Sequence, residues 1–324
     1  MFLGGVLTEY ASWPWVFYLN IPIALAVIAL ATRVMPDVPG SRGRLDWVGA
    51  ATVTGGLAGL VYAIVRAPEV GWGSAQTLLV GAGALALLGL FLVMQAKRQQ
   101  PLVRLGIFRT PALGAANIAQ FLLGAAWVAT WFYLNLYLQR VLGLSAFPSG
   151  SALLPMTVFI MAGMVIVAPR AIAKFGPKRV LVTGMGVLAV GLGLLALVRP
   201  DGSYVIDVLP ASLVAATGMS LAFIPSLGIA LSSARPEEGG LAAGIVNTSY
   251  QVGSALGLAA MTAVAAANGA DQLGDVSSLT DGYSAVFLGA AVVAAAGAVI
   301  AAVTLRLPKP QPETAAADTE AVAA

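Results

Sequence analysis

Long apolar runs separated by short polar connectors make up most of this sequence. Each run is long enough for a transmembrane helix, which needs ~20 consecutive apolar residues. The runs are continuous, whereas the strands of a membrane β-barrel would alternate apolar and polar residues. The pattern therefore predicts an all-α polytopic membrane protein with about nine complete transmembrane helices. They are predicted at residues 13–32, 47–65, 77–95, 111–138, 147–169, 180–198, 208–232, 241–266 and 283–305.

Both ends of the chain differ from these runs. The first residues, MFLGGVL, are apolar but too short to span a bilayer, and we interpret them as the last turns of one more helix. The polar residues TEYAS that follow are expected to form a turn. Residues 307–324 are rich in Ala, Pro and acidic side chains, a composition that predicts a disordered tail.

Composition supports the membrane interpretation and removes several kinds of chemistry. Hydrophobic residues make up 59% of the chain and charged residues 10%, and the mean hydropathy is +0.90, which is typical of a helical membrane protein. The chain has no Cys and no His, so it lacks thiolate nucleophiles, disulfides and the commonest metal ligands. We therefore predict no metal site, no cofactor and no enzyme activity. Nucleic-acid binding is not expected, because the basic residues lie in short connectors.

The basic residues predict how the chain is oriented in the membrane. Of the 17 Lys and Arg residues, all but Arg66, Arg140 and Arg199 lie in the connectors after residues 32, 96, 169, 232 and 305. Short connectors rich in Lys and Arg stay in the cytoplasm. We therefore predict that these connectors and the C-terminus are cytoplasmic, in a multi-pass protein of the plasma membrane.

Two helical faces carry polar residues inside otherwise apolar spans. At ~100° per residue, one such face lies on the 111–138 span and a second on the 241–266 span. Amides and large aromatic rings suit an amphipathic organic substrate, which needs apolar contact and a few hydrogen bonds. Hydrogen bonding between helices would also keep amides away from lipid, so both roles remain open. The predicted substrate-binding residues are Asn117, Gln120, Trp127, Trp131, Asn135, Asn247, Tyr250 and Gln251.

Several pairs of glycines are placed for close packing between helices. In lipid, small residues let two helix backbones approach each other, and this packing replaces the hydrophobic driving force. A flexing point in a transport cycle is the alternative role. The pairs are Gly4 with Gly5, Gly253 with Gly257, and Gly184 with Gly191.

The stretch LGGVLTEYASWPWVFYLNIPIA carries the first resemblance to a known family. It resembles P-x-L-G-G-x-L…W-R-W-I-F-x-I-N-x-P, the pattern around the fifth and sixth helices of fourteen-span drug:proton antiporters. These are the EmrB/QacA type of the major facilitator superfamily. Pro14 replaces the Arg of that pattern, and Met1 stands at its Pro. Further stretches resemble later parts of the same family: LDWVGA (45–50), PLVRLGIFRTPAL (101–113), LNLYLQRVLGLSAFPSGSALLP (134–155) and GLAAGIVNTSYQVGSALGLA (240–259).

A basic stretch, PRAIAKFGPKR (169–179), resembles the superfamily's loop motif G-x-x-x-D-R-x-G-R-[RK]. The matching residues are Lys174, Gly176, Lys178 and Arg179, whereas Ala173 stands where the motif has Asp. The acid-to-base latch that the motif implies therefore cannot form here. We expect a cytoplasmic loop that anchors the topology, with gating as the alternative role.

The resemblance implies four regions. Residues 1–35 would be the end of an N-terminal helical half, and 36–110 two inserted helices with a central cytoplasmic loop. Residues 111–306 would be a C-terminal six-helix half, followed by the cytoplasmic tail at 307–324. The family's first helices have no counterpart in this arrangement, so we expect an N-terminally truncated member of the family.

The resemblance also implies a function, namely export of amphipathic drugs or antibiotics in exchange for protons. The partners would be a small amphipathic organic substrate, protons and the lipid bilayer. No carboxylate lies near the middle of a complete span, so we expect the chain alone to be inactive in proton-coupled transport. A small-solute permease of the same superfamily and a non-functional gene remnant are the alternatives. A membrane enzyme is disfavoured, because groups for general acid–base chemistry are missing.

Overall fold

The computed structural model describes residues 2–34, 46–98, 101, 103–104, 106–107, 110–235 and 238–306. Within these ranges every regular element is a helix. The α-helices are α1 Phe2–Tyr10, α2 Trp15–Tyr18, α3 Asn20–Val34, α4 Trp47–Val70, α5 Ala75–Lys97, α6 Pro111–Leu136, α7 Ala146–Ala152, α8 Leu154–Ala162, α9 Ala168–Phe175, α10 Pro177–Leu195, α11 Leu209–Ser232, α12 Gly239–Ala267 and α13 Val276–Thr304.

Within the described residues, 9 helical stretches are long and apolar enough to cross a membrane. Each overlaps one span that the hydropathy pattern predicts, so the all-α polytopic architecture is confirmed. The stretches are Trp15–Val34, Trp47–Ala67, Ala75–Lys97, Ala112–Val141, Ala146–Phe175, Pro177–Leu195, Tyr204–Ser232, Gly239–Ala267 and Val276–Thr304.

Three connectors are shorter than the sequence pattern predicts. The expected turn TEYAS is partly helical, because α1 continues to Tyr10. The expected loop at 169–179 is mostly helix, since α9 reaches Phe175 and only Gly176 separates it from α10. Gly176 has a φ of 80°, a conformation that glycine adopts without strain and that ends a helix. The connector expected at 267–282 ends early, at the start of α13 at Val276.

Three π-helical segments interrupt the long spans, at Tyr137–Val141, Gly163–Val167 and Tyr204–Val208. Pro169 and Pro210 each lie two residues after one of these segments. A proline lacks the N–H that an α-helix requires, and its ring clashes with the carbonyl four residues earlier. The wider π turn before each proline accommodates this defect, so the span continues without a break.

Helix α6 lies at the centre of the bundle and packs against α11, α12 and α13. Glycines on α12 allow the closest of these contacts. A Cβ atom at Gly253 would collide with the backbone of Phe121, and one at Gly257 would collide with Ala125. The two helices therefore touch backbone to backbone, as small residues permit in a membrane.

Of the other paired glycines, three lie close to the backbone of a neighbouring helix and one does not. Gly184 and Gly191 on α10 face the backbone of α11 so closely that an added Cβ would collide with it. A Cβ at Gly5 would lie 2.6 Å from the carbonyl oxygen of Ala146, at the start of α7. No described atom comes within 4 Å of the Cβ position at Gly4. In the pair Gly4 and Gly5, only Gly5 therefore makes a close helix contact.

The first helices lie at the edge of the bundle. Helix α3 has no buried residue, and α1 packs on α7. The Glu9 carboxylate accepts hydrogen bonds from the backbone N–H of Phe147 at 2.6 Å and the hydroxyl of Ser145 at 3.0 Å. Helices α4 and α5 form a separate hairpin, which meets the central bundle through α4 and α12.

Candidate functional site

A groove of about 720 Å³ lies where the α4–α5 hairpin meets the central bundle. Such a volume is in the range of small-molecule sites, which span ~300–1,000 Å³. Helix α4 forms one wall of the groove and α12 the other. Its lining residues are Thr54, Leu57, Ala58, Val61, Tyr62, Val65, Arg66, Asn247, Thr248, Gln251 and Val252.

The groove combines apolar walls with two free amides. Asn247 and Gln251 lie one helical turn apart on α12, and both are exposed. Neither side chain has a hydrogen-bond partner in the described part of the chain, which is costly for an amide in an apolar environment. Across the groove, the Tyr62 hydroxyl accepts a hydrogen bond from Gln76 at 3.4 Å. The groove therefore suits a ligand with an apolar body and a few hydrogen-bonding groups.

Two other predicted substrate-binding residues, Asn117 and Gln120, lie in the packed interior instead. Asn117 is 8% exposed and Gln120 is 1% exposed. The Asn117 side-chain oxygen accepts a hydrogen bond from the Ser249 hydroxyl on α12 at 2.9 Å. The Gln120 amide nitrogen donates to the Ser226 hydroxyl on α11 at 3.0 Å. These amides join α6 to its neighbours, which is the interhelical role that the sequence left open.

Gln120 keeps one unused hydrogen-bonding group in this interior. Its side-chain oxygen is buried and has no hydrogen-bond partner among the described residues. The Ser226 hydroxyl, which accepts from Gln120, donates to the backbone oxygen of Ala222 at 2.8 Å. An unpaired acceptor in the bundle interior is costly, so this position is a local weak point in the packing of α6 against α11.

The predicted aromatic residues also lie outside the groove. Trp127 is buried, and its ring meets that of Trp131 edge-on, with ring centroids 6.0 Å apart. Tyr250 packs edge-on against Phe223 of α11, with centroids 5.7 Å apart. These aromatic residues therefore contribute to helix packing around α6, and none of them lines the groove.

Asn135 belongs to a third polar cluster, near the end of α6. Its side-chain oxygen accepts a hydrogen bond from Gln139 at 3.2 Å, and Gln139 also donates to the Ser149 hydroxyl at 3.3 Å. This cluster links the π-helical end of α6 to α7. Of the eight predicted substrate-binding residues, the structure brings only Asn247 and Gln251 into the groove.

The α4 wall of the groove is a feature that the sequence analysis missed. Its residues Leu57, Val61 and Val65 recur in steps of four, and Tyr62 and Arg66 follow the same spacing on an adjacent stripe. This spacing is visible in the sequence, but it is the ordinary pattern of an apolar helix. These α4 residues form part of a candidate binding site only because Asn247 and Gln251 of α12 line the opposite wall.

The basic turn between α9 and α10 does not line this groove. Lys174 places its ammonium group 5.2 Å from the ring centroid of Phe175. Gly176 makes the turn, and Lys178 and Arg179 follow in the first turn of α10. No carboxylate forms an ion pair with these basic residues in the described part of the chain.

The described chain is a multi-pass helix bundle with a groove of ligand size. The Major Facilitator Superfamily model matches residues 1–258. The chain therefore belongs to the Major Facilitator Superfamily.

Curated relatives of the chain include several antibiotic exporters and resistance proteins. The chain is 33% identical over 314 residues to the cephamycin export protein CmcT of Amycolatopsis lactamdurans, covering 96% of this chain and 64% of that protein. It is 32% identical over 276 residues to the puromycin resistance protein pur8 of Streptomyces alboniger, covering 84% and 54%. It is 28% identical over 308 residues to the lincomycin resistance protein LmrB of Listeria monocytogenes, covering 91% and 64%. The chain thus spans 54% to 64% of the length of these relatives.

Proposed function

We propose that this chain is part of a drug efflux transporter of the plasma membrane, which exports amphipathic antibiotics in exchange for protons. The proposal includes the fourteen-span drug:proton antiporter type, whose sequence patterns the chain resembles, and a cytoplasmic C-terminus. Relatives named for cephamycin export and for puromycin and lincomycin resistance support the substrate class.

The observation that carries the proposal is the groove between α4 and α12. Its apolar walls bind the rings or chains of an amphipathic molecule, because burying apolar surface is favourable at about 25 cal/mol per Å². The unpaired amides of Asn247 and Gln251 orient the molecule by hydrogen bonding to its polar groups. A molecule that satisfies both amides gains affinity over one that is only apolar, and this difference gives the groove its selectivity.

The inserted hairpin has a direct role in this proposal. Helix α4 supplies Tyr62, Arg66 and most of the apolar lining, while α12 supplies the amides. The two walls belong to separate parts of the fold, which meet through the limited contact of α4 with α12. We expect a displacement of the hairpin relative to α12 to change the width of the groove.

The test is antibiotic resistance conferred by the gene product that contains this chain, expressed in a drug-sensitive bacterial host. We expect it to raise the inhibitory concentrations of several amphipathic antibiotics, with puromycin and lincomycin in the panel. Gln251→Leu and Asn247→Leu should each reduce the resistance to compounds with polar groups by up to roughly tenfold. A tenfold loss corresponds to about 1.4 kcal/mol, which is near the upper end of the contribution of a single hydrogen bond.

The matched control is Gln272→Leu, which makes the same chemical change at an exposed position between α12 and α13. It should leave resistance unchanged, and immunoblotting of membranes should show equal amounts of all variants. The proposal is wrong if the parent protein protects against none of the compounds. The site assignment alone is wrong if the parent protects and both groove variants match Gln272→Leu.

A further inference from the structure

A second cavity, of about 340 Å³, lies where α9, α10 and α11 meet beside the basic turn. Among the described residues, its lining is apolar apart from Thr183 and the ionisable Arg179. Phe175, which borders the cavity, is 53% exposed although it is a large apolar residue. The lining residues are Ala171, Phe175, Arg179, Val180, Thr183 and Leu221.

Basic side chains lie at and near this cavity. Arg179 lines it directly, and the Lys174 ammonium group lies 5.2 Å from the ring centroid of Phe175, another lining residue. Arg170 lies near the start of α9, and Lys178 lies in the first turn of α10. An apolar pocket and a group of positive charges thus share one end of the bundle.

The carboxylates described at this end of the bundle are already engaged elsewhere. Asp46 pairs with Arg98, and Glu238 lies 3.4 Å from Arg104. Arg170 donates to the backbone oxygen of Ile166, in the π-helical segment before α9, at 2.8 Å. The positive charge of the turn is therefore not compensated by a carboxylate among the described residues, and it is available to an anion from outside the chain.

We propose that this cavity binds an anionic phospholipid from the leaflet that the α9–α10 turn faces. The phosphate group contacts Lys174 and Arg179, and the upper part of one acyl chain enters the cavity against Phe175, Val180 and Leu221. Basic pockets between transmembrane helices suit such head groups. Free phosphate would use the charges but leave the adjoining apolar cavity empty, so a lipid satisfies both features of the site.

The experiment measures lipid binding to the purified full chain, in a zwitterionic detergent, by native mass spectrometry. Phosphatidylglycerol is titrated against phosphatidylcholine with the same acyl chains. We expect phosphatidylglycerol to bind with at least tenfold higher affinity. Arg179→Gln should weaken phosphatidylglycerol binding roughly tenfold, as expected for losing a hydrogen bond to a charged group. It should weaken phosphatidylcholine binding less, because the choline group offsets the charge of that lipid's phosphate.

Two further variants separate a specific site from general positive charge. Arg33→Gln removes one charge from an exposed residue near the end of α3, and it should leave phosphatidylglycerol affinity unchanged. Thr183→Phe fills the apolar cavity from an exposed position and keeps every charge, so it should also weaken phosphatidylglycerol binding. Thermal unfolding in lipid-free detergent checks that each variant is folded.

Three outcomes would overturn the proposal. One is equal affinity for the two lipids, and another is an equal loss of affinity in Arg33→Gln and Arg179→Gln. The third is full competition by inorganic phosphate at the concentration at which phosphatidylglycerol binds, which would show that the acyl chain adds nothing. None of these outcomes depends on transport, so they neither support nor contradict the efflux proposal.

Discussion

At the scale of single residues, Asp46 joins three parts of the chain at the start of α4. Its carboxylate accepts hydrogen bonds from the backbone N–H of Gly49 at 2.7 Å and from Gln95 of α5 at 2.9 Å, and it pairs with Arg98. The Gln95 oxygen in turn accepts from the backbone N–H of Val103 at 3.1 Å. These contacts close the end of the α4–α5 hairpin, which carries one wall of the groove.

The hydrogen bond from Gln95, followed by that from Gly49, holds the pKa of Asp46 below its usual value of 3.8. A lowered folded-state pKa means that the carboxylate stabilises the fold at pH values above its usual pKa and loses this effect as the pH falls further. Asp46→Asn should therefore lower the unfolding temperature at pH 7 and reduce the acid sensitivity of unfolding below about pH 4. Asp201→Asn, at an exposed carboxylate, is the control, and equal behaviour of the two variants would contradict the prediction.

Gly253 provides a second test at this scale, because its Cβ position is occupied by the backbone of Phe121. Gly253→Ala should force α12 away from α6 and destabilise the protein by about 1–3 kcal/mol, the usual cost of overpacking. Gly244→Ala makes the same change on the same helix, where no described atom lies within 4 Å. Urea unfolding followed by circular dichroism compares the two. Equal stability of both variants would show that the glycine contact is dispensable.

At the scale of helices, the sequence predicts the existence of each span but not the neighbour that each polar face meets. Hydropathy finds α6 and α12, because a span must be apolar whichever helix it packs against. The amides of both helices look alike in sequence. Asn117 is buried against Ser249, whereas Asn247 opens into the groove. That difference arises from the approach of α4 to α12, a contact between distant parts of the chain that periodicity does not encode.

The ends of helices are also poorly predicted from the sequence. The basic stretch 169–179 reads as a loop, because it is charged and contains two prolines. In the structure it stays helical up to Phe175, because the π segment Gly163–Val167 accommodates Pro169. Gly176 alone makes the turn, with a positive φ of 80°. The glycine that the superfamily's loop motif has at this position is the feature of the sequence that indicates the turn. The short turn keeps the exposed Lys174 and Arg179 close to the apolar cavity.

At the scale of the whole molecule, the distribution of basic residues predicts orientation. We expect the α9–α10 turn to be cytoplasmic and the α12–α13 connector to be outside. The chain has no Cys, so Lys174→Cys and Gln272→Cys each introduce a single thiol at an exposed position. Gln272 is preferable to Asp275, which caps α13 through Ser277 and Ser278. In intact cells an impermeant maleimide should label only position 272, and the reverse pattern would invert the topology.

Proton coupling is the property that this chain is least equipped to supply by itself. A proton-coupled carrier needs a titratable group within the membrane pathway. Among the described spans, carboxylates occur only at Asp207 and Asp281, both within the first two turns of their spans. Asp207 is also held by Arg199, with nitrogen–oxygen distances of 2.9 and 3.2 Å. We therefore expect no proton-driven transport by the purified chain alone.

Proteoliposomes with an imposed pH gradient and a panel of fluorescent cationic dyes test this expectation. The purified chain should move none of the dyes faster than protein-free liposomes do. Dye movement that depends on the gradient and stops with an uncoupler would show that the chain contains a proton carrier. In that case Asp207→Asn and Asp281→Asn identify it. Loss of coupling in Asp207→Asn alone would mean that Asp207 carries the proton and that its ion pair with Arg199 opens during transport.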